Sequence, residues 1–129
     1  MNAPSKLKRT SNESGATLSL KAAAVRRIAL AGRYDLVKTE WFGADIAAIT
    51  IDPFEVDCYE VESRNHPHVL TNIRRNFQHG ATRTIVICLK DRVAQTISDR
   101  VGRELKEEEQ ANVSVTTLEG IYEYIRSTQ

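Results

Sequence analysis

Asp45, Glu60 and Glu62 are the residues of this chain whose types and spacing best suit chemistry. Glu60 and Glu62 lie two apart in VDCYEVES (Val56–Ser63), a segment with the β-branched and aromatic content of a strand. Strand side chains alternate, so the two carboxylates share one face about 7 Å apart, while Tyr59 and Val61 face the other way. Asp45 opens a second apolar strand, DIAAITI (Asp45–Ile51), and Asp52-Pro53-Phe54-Glu55 reads as the turn that joins the two. The hairpin then sets Asp45 beside the Glu60/Glu62 pair. Three carboxylates gathered there repel one another if all are ionised, so either a proton is retained or a cation sits between them. An all-oxygen donor set suits Mg²⁺ or Mn²⁺. A metal so held polarises a phosphoryl oxygen and lowers the pKa of its bound water, which is what phosphodiester hydrolysis requires. The plainer alternative is a pair of surface glutamates bridged by arginines.

The elements that must position these residues follow in order. Thr17 to Leu30 is expected to be a helix with Leu18, Ala22, Val25 and Ala29 as its stripe, Ser14 or Thr17 as its cap, and Arg26 and Arg27 toward solvent. Tyr34 to Phe42 has strand character and Gly43 punctuates it, with Trp41 and Phe42 expected in core or edge packing and not as a base-stacking platform. Short connections make this strand and the two acidic ones an antiparallel meander. His68 to His79 is a helix with Val69, Leu70, Ile73 and Phe77 inward and Gly80 as C-terminal cap. Thr84 to Leu89 is a continuous apolar run, as in a strand covered on both faces. A helix from Asp91, with Val93, Ile97, Val101 and Leu105 inward, ends on the acidic run Glu107–Glu109, taken as a solvated end or loop. A last strand, Asn112–Thr117, and a closing helix, Leu118–Ile125, complete the chain. The strand–helix–strand steps favour parallel pairing. The fold class is therefore α/β: a mixed sheet with an antiparallel three-strand meander, parallel crossovers and helices on both faces.

Gly43-Ala44-Asp45-Ile46-Ala47 resembles the acidic half-motif of the PD-(D/E)XK nuclease superfamily, with alanine where proline is usual, and Glu60-Val61-Glu62 resembles its second half. The resemblance runs from about Thr17 to Leu89 and includes the helix–meander–helix–strand order. It implies a restriction endonuclease-like fold and a Mg²⁺- or Mn²⁺-dependent endonuclease of DNA, with Asp45, Glu60 and Glu62 as metal ligands. The sequence departs from the pattern at Glu62, which stands at the family's lysine position; Lys38 and Arg64 are the candidate replacements for that cation. The departure also opens an alternative, a catalytically silent module that binds nucleic acid or a partner protein.

On the helix that follows, His68, Asn72, Arg75 and His79 form one polar stripe with Gln78 beside it. Asparagine and arginine suit phosphate oxygens, so His68, Asn72, Arg75 and Gln78 are candidate nucleic-acid contacts, and Arg64 and Arg83 would extend the patch. A plain solvent face is the competing reading. His66 and His68 flank Pro67 without a cysteine or third histidine nearby, so zinc is not expected. No nucleophile elbow, phosphate-binding loop or dinucleotide fingerprint occurs.

Composition bounds the rest. The 129 residues make one domain, expected over residues 15–129 behind a disordered leader, Met1–Ser14, that carries Lys6, Lys8 and Arg9. A net charge of +1 lacks the strong basic excess of many nucleic-acid binders, so the distribution of charge has to carry any such function. No apolar run approaches the roughly 20 residues of a membrane span. Cys58 and Cys88 sit in strand-like segments and read as buried thiols, and a cytoplasmic location follows as the default. Apolar strand edges permit a homodimer.

Overall fold

The structure, a computed structural model, describes residues 15–127. The expected leader lies outside the described residues. Its centre is the strand that carries Glu60 and Glu62. Strands β1 (Leu36–Trp41), β2 (Ala44–Thr50) and β3 (Glu55–Glu62) form the antiparallel meander, and β4 (Arg83–Cys88) and β5 (Val113–Thr117) extend it in parallel. The five strands lie in sheet order β1-β2-β3-β4-β5. β3 and β4 are therefore inner strands. Every residue of β3 after Glu55, and every residue of β4 after Arg83, is buried.

Helices cover both faces. Helices α1 (Gly15–Leu30) and α5 (Ile121–Ser127) pack on Ile46, Ala48, Tyr59, Val61, Ile85 and Ile87. On the opposite face, α2 (Val69–Gln78) and α3 (Asp91–Glu104) pack on Val86 and Cys88, with Val113 and Val115 at the margin. Each fully buried isoleucine or valine in these layers contributes about 1.5–3 kcal/mol relative to exposure. Both cysteines are buried free thiols. Among the described residues no helix is long and apolar enough to cross a membrane.

The expected element order holds, with local corrections. The stripe of α1 is rotated: Leu20, Lys21, Ala24, Val25 and Ile28 are buried, whereas Ala22 is exposed. The run of small residues around this helix leaves its apolar face ambiguous, and Lys21 occupies a core position. Thr17 bonds its hydroxyl to Ser63 at 2.7 Å. The acidic run is a separate short helix, α4 (Glu107–Gln110), because Glu109 caps the Lys106 backbone N–H at 2.8 Å and accepts from Arg74 at 3.0 Å. The closing helix begins later than expected, at Ile121. Gly80 does end α2, with φ of 99° and its N–H donating to the Phe77 carbonyl at 3.1 Å.

Candidate active site

Register brings the acids together. Ile46 of β2 opposes Tyr59 of β3, so one step further along Asp45 meets Glu60. Asp45 Oδ2 accepts the Val61 backbone N–H at 2.8 Å, and the Asp45 backbone N–H donates to the Glu60 carboxylate. Glu60, only 3% exposed, also accepts from Asn76 Nδ2 at 3.0 Å, and an Arg75 nitrogen lies 3.8 Å away. Glu62 meets His66 Nε2 at 2.6 Å. Because His66 Nδ1 accepts the His68 backbone N–H at 3.2 Å, the ring proton of neutral His66 sits on Nε2 and is donated to Glu62. The carboxylates line one cleft of about 480 Å³, open to solvent at the end of β3.

Lys21, which the sequence reading did not single out, enters this cleft from α1. Its ammonium lies 3.2 Å from Asp45 Oδ1 and 3.2 Å from Glu40 Oε1, although the side chain is only 1% exposed. A buried charge needs this kind of pairing, since desolvation otherwise opposes it strongly.

Burial dominates the electrostatics of the acids. It raises the Asp45 carboxyl above the usual range, against the opposing pull of the Val61 N–H and Lys21. It raises Glu60 as well, and the charge on Asp45 adds to the effect while Asn76 and Arg75 oppose it. Glu62 is pushed up to about 9, first by burial and then by Asp45 and Glu60. Burial also lowers His66, which agrees with its neutral tautomer. Burial and mutual repulsion thus favour retained protons among these acids.

Seven of the expected residues come together: Arg64, His68, Asn72 and Arg75 line the same cleft as Asp45, Glu60 and Glu62. Arg75 reaches across it, donating to the Gly43 carbonyl at 2.8 Å and to Asn72 Oδ1 at 3.2 Å. Gly43, at φ of 87°, leaves room for this approach; a Cβ there would lie 3.0 Å from the Arg75 guanidinium carbon. Three expectations are not met. Lys38 points from an exposed position of β1, opposite Ala47, and does not line the cleft. Gln78 borders a separate hollow with Phe77 and Glu109, because it shares the α2 face of Arg74, four residues earlier, and not that of Asn76. Arg83 is held at the other end of β3 by Asp57 and Glu55. Besides Lys21, the sequence reading missed Asn76. Asn76 is a polar residue on the apolar stripe of α2, and that mismatch was its one available signal; Lys21 offered none, because the inward face of α1 was ambiguous.

Among the described residues no three His, Cys, Asp or Glu stand close enough together to enclose a metal ion. The enclosure by all three carboxylates is thus not formed by the side chains as they stand, with Glu62 engaged by His66. The neighbouring carboxylates Asp45 and Glu60 still fit Mg²⁺, which keeps several waters and takes one or two carboxylates together with substrate phosphates. Comparison of the chain with protein-family profiles, with curated proteins and with solved structures found no match.

Proposed function

We propose that this chain is a Mg²⁺- or Mn²⁺-dependent endonuclease that hydrolyses phosphodiester bonds of DNA, on a restriction endonuclease-like fold. One observation carries the reading: the buried ammonium of Lys21 bonds Asp45 in the cleft that also holds Glu60 and Glu62. The resemblance to the PD-(D/E)XK pattern lacked a lysine at Glu62, and Lys21 supplies a cation at the same acids from a different element. Asp45 and Glu60 would hold the metal, which when bound polarises the phosphoryl oxygen and lowers the pKa of its water. Occupancy by the cation would favour the ionised form of Glu60, and of Glu62 beside it. Ionised Glu62, oriented by His66, would take a proton from the attacking water as its oxygen bonds phosphorus, while the P–O bond to the leaving sugar oxygen breaks and that oxygen takes a proton from solvent in the open cleft. Arg64, Arg75, His68 and Asn72 take the flanking phosphates, by charge and by hydrogen bonds to non-bridging oxygens. Lys21 and Arg75 offset negative charge that develops at phosphorus. Both cysteines being buried thiols, we place the activity in a reducing, cytoplasmic compartment. One site cuts one strand; cutting both strands of a duplex would require a second copy, paired at the exposed edge of β1.

A second reading is a binding module without cleavage, favoured by the hydrogen bond that already engages Glu62. The two are separated by incubating the purified chain with supercoiled plasmid and with single-stranded circular DNA. The expected result is cleavage that requires Mg²⁺ or Mn²⁺ and is lost in Asp45→Asn. Salt-sensitive DNA binding that persists in chelator, with no cleavage in either metal, selects the binding module.

A further inference from the structure

The turn from β1 to β2 carries an aromatic feature that the cleavage chemistry does not use. Glu40 and Phe42, neither of them glycine, both have left-handed backbone, with φ of 57° and 48°. Side chains with a Cβ rarely adopt this region, and bulky ones persist there only where the surroundings impose it. Its consequence is that Phe42 is carried outward and remains 59% exposed, contrary to the packing expected from the sequence. The Phe42 ring lies parallel to that of His79, with centroids 4.9 Å apart and planes within 10°. Trp41 meets Phe42 edge to face, with centroids 4.7 Å apart. His79 is itself exposed, so solvent reaches both rings of the parallel pair.

Chain connectivity sets this pair next to the cleft, although neither ring lines it. Gly43, the next residue, lines the cleft and accepts the Arg75 guanidinium on its carbonyl. An exposed ring stack therefore stands one residue from a cation suited to phosphate. A nucleic-acid strand alternates the same two chemistries, phosphate and flat base, along its length.

We propose that the Phe42–His79 pair is a base-stacking platform, and that the nucleic acid taken by this cleft presents unpaired bases beside the phosphate it holds. The inference rests on the nucleic-acid reading of the cleft. Bases inside a duplex are stacked on one another and offer proteins mainly their edges, whereas an unpaired base offers its ring face. Stacking is tolerant of base identity, since every base has such a face, so the platform selects strand state and not sequence.

Trp41 is the chain's single tryptophan, and its contact with Phe42 makes its fluorescence a direct readout. The full chain, in chelator so that nothing is cleaved, is titrated with single-stranded oligothymidylate and with a blunt duplex of equal length. The single strand should bind more tightly than the duplex and quench Trp41. Phe42→Leu keeps apolar bulk but loses the ring, and should weaken single-strand binding about tenfold or more. Phe42→Tyr should retain it, and melting curves check that each variant is folded. Equal or tighter duplex binding, no single-strand binding, or undiminished binding by Phe42→Leu would each overturn the platform. The endonuclease reading fails separately: Phe42-dependent binding without cleavage in Mg²⁺ sinks cleavage and supports the platform, whereas cleavage with Phe42→Leu binding unchanged sinks the platform alone.

Discussion

β3 buries acid at both of its ends, and the two ends are treated in opposite ways. Toward its start, Asp57 is 1% exposed and fully answered: Arg83 Nε donates to it at 2.7 Å and the Tyr34 hydroxyl donates at 2.7 Å. Arg83 continues to Glu55 at 2.9 Å, and Tyr34 and Tyr59 share a hydroxyl contact of 2.7 Å. Burial raises both phenols, so they stay neutral donors. Toward the end of the strand, Asp45 pairs with Lys21, Glu60 is bonded by Asn76 with Arg75 only grazing it at 3.8 Å, Glu62 meets His66, and the group opens into a cleft. A buried carboxylate bonded by a half-buried arginine and a phenol is a structural pair. Carboxylates in excess of their bonded cations, with raised affinity for protons and beside an open cleft, are what the proposed exchange of protons for a metal requires.

That contrast is broken or sharpened by substitution at each end. The largest effect is expected for Asp45→Asn or Glu60→Gln, which should reduce cleavage about a thousandfold while the protein stays folded, the several kcal/mol that metal-assisted stabilisation supplies. Asp57→Asn should do the reverse: removing one partner of a buried pair costs about 3 kcal/mol in urea denaturation, with activity per folded molecule unchanged. Loss of cleavage in Asp57→Asn at full folding would erase the distinction between the ends.

Lys21→Met comes next. It should lower kcat about tenfold to a hundredfold, on the scale of losing one preorganised charge at the reacting centre, with Lys21→Arg recovering part. An unchanged kcat with only a lower Tm would make Lys21 a structural partner of Asp45 and Glu40.

The smallest effect is a slope against pH. Folded Glu62 holds its proton to about 9, whereas the unfolded residue releases it near 4.5. The folded state therefore binds more protons across that window. The stability Glu62 contributes is complete below about 4.5 and is lost as pH rises toward about 9. The slope is at most about 1.4 kcal/mol per pH unit. Denaturation curves should show a flatter decline for Glu62→Gln than for the wild type, and saturating Mg²⁺ should flatten the wild-type decline too. A slope that survives Glu62→Gln would place the retained proton elsewhere.

The acids were legible in the sequence because strand alternation and a short turn leave few arrangements: Glu60 and Glu62 had to share a face, and the hairpin had to return to Asp45. The element order was legible for the same reason, from runs whose apolar spacing matched one period. Lys21 was not, because GATLSLKAAAVRRIAL offers small apolar residues on every side and hides which face is inward. Its burial is decided by acids from β1 and β2, a tertiary cause. Asn76 was hidden similarly, as a polar residue on the stripe of α2 that Glu60 makes tolerable. The outward placement of Phe42 depends on two left-handed residues around a tight turn, and nothing in an aromatic pair before glycine distinguishes that from edge packing.

The most direct test of the central claim is anomalous diffraction from crystals grown with Mn²⁺ and a non-hydrolysable oligonucleotide. A peak against the oxygens of Asp45 and Glu60, with none at Asp57, is the predicted result. A cleft without such a peak, its carboxylates still held by the side chains of Lys21, Asn76 and His66, would contradict it.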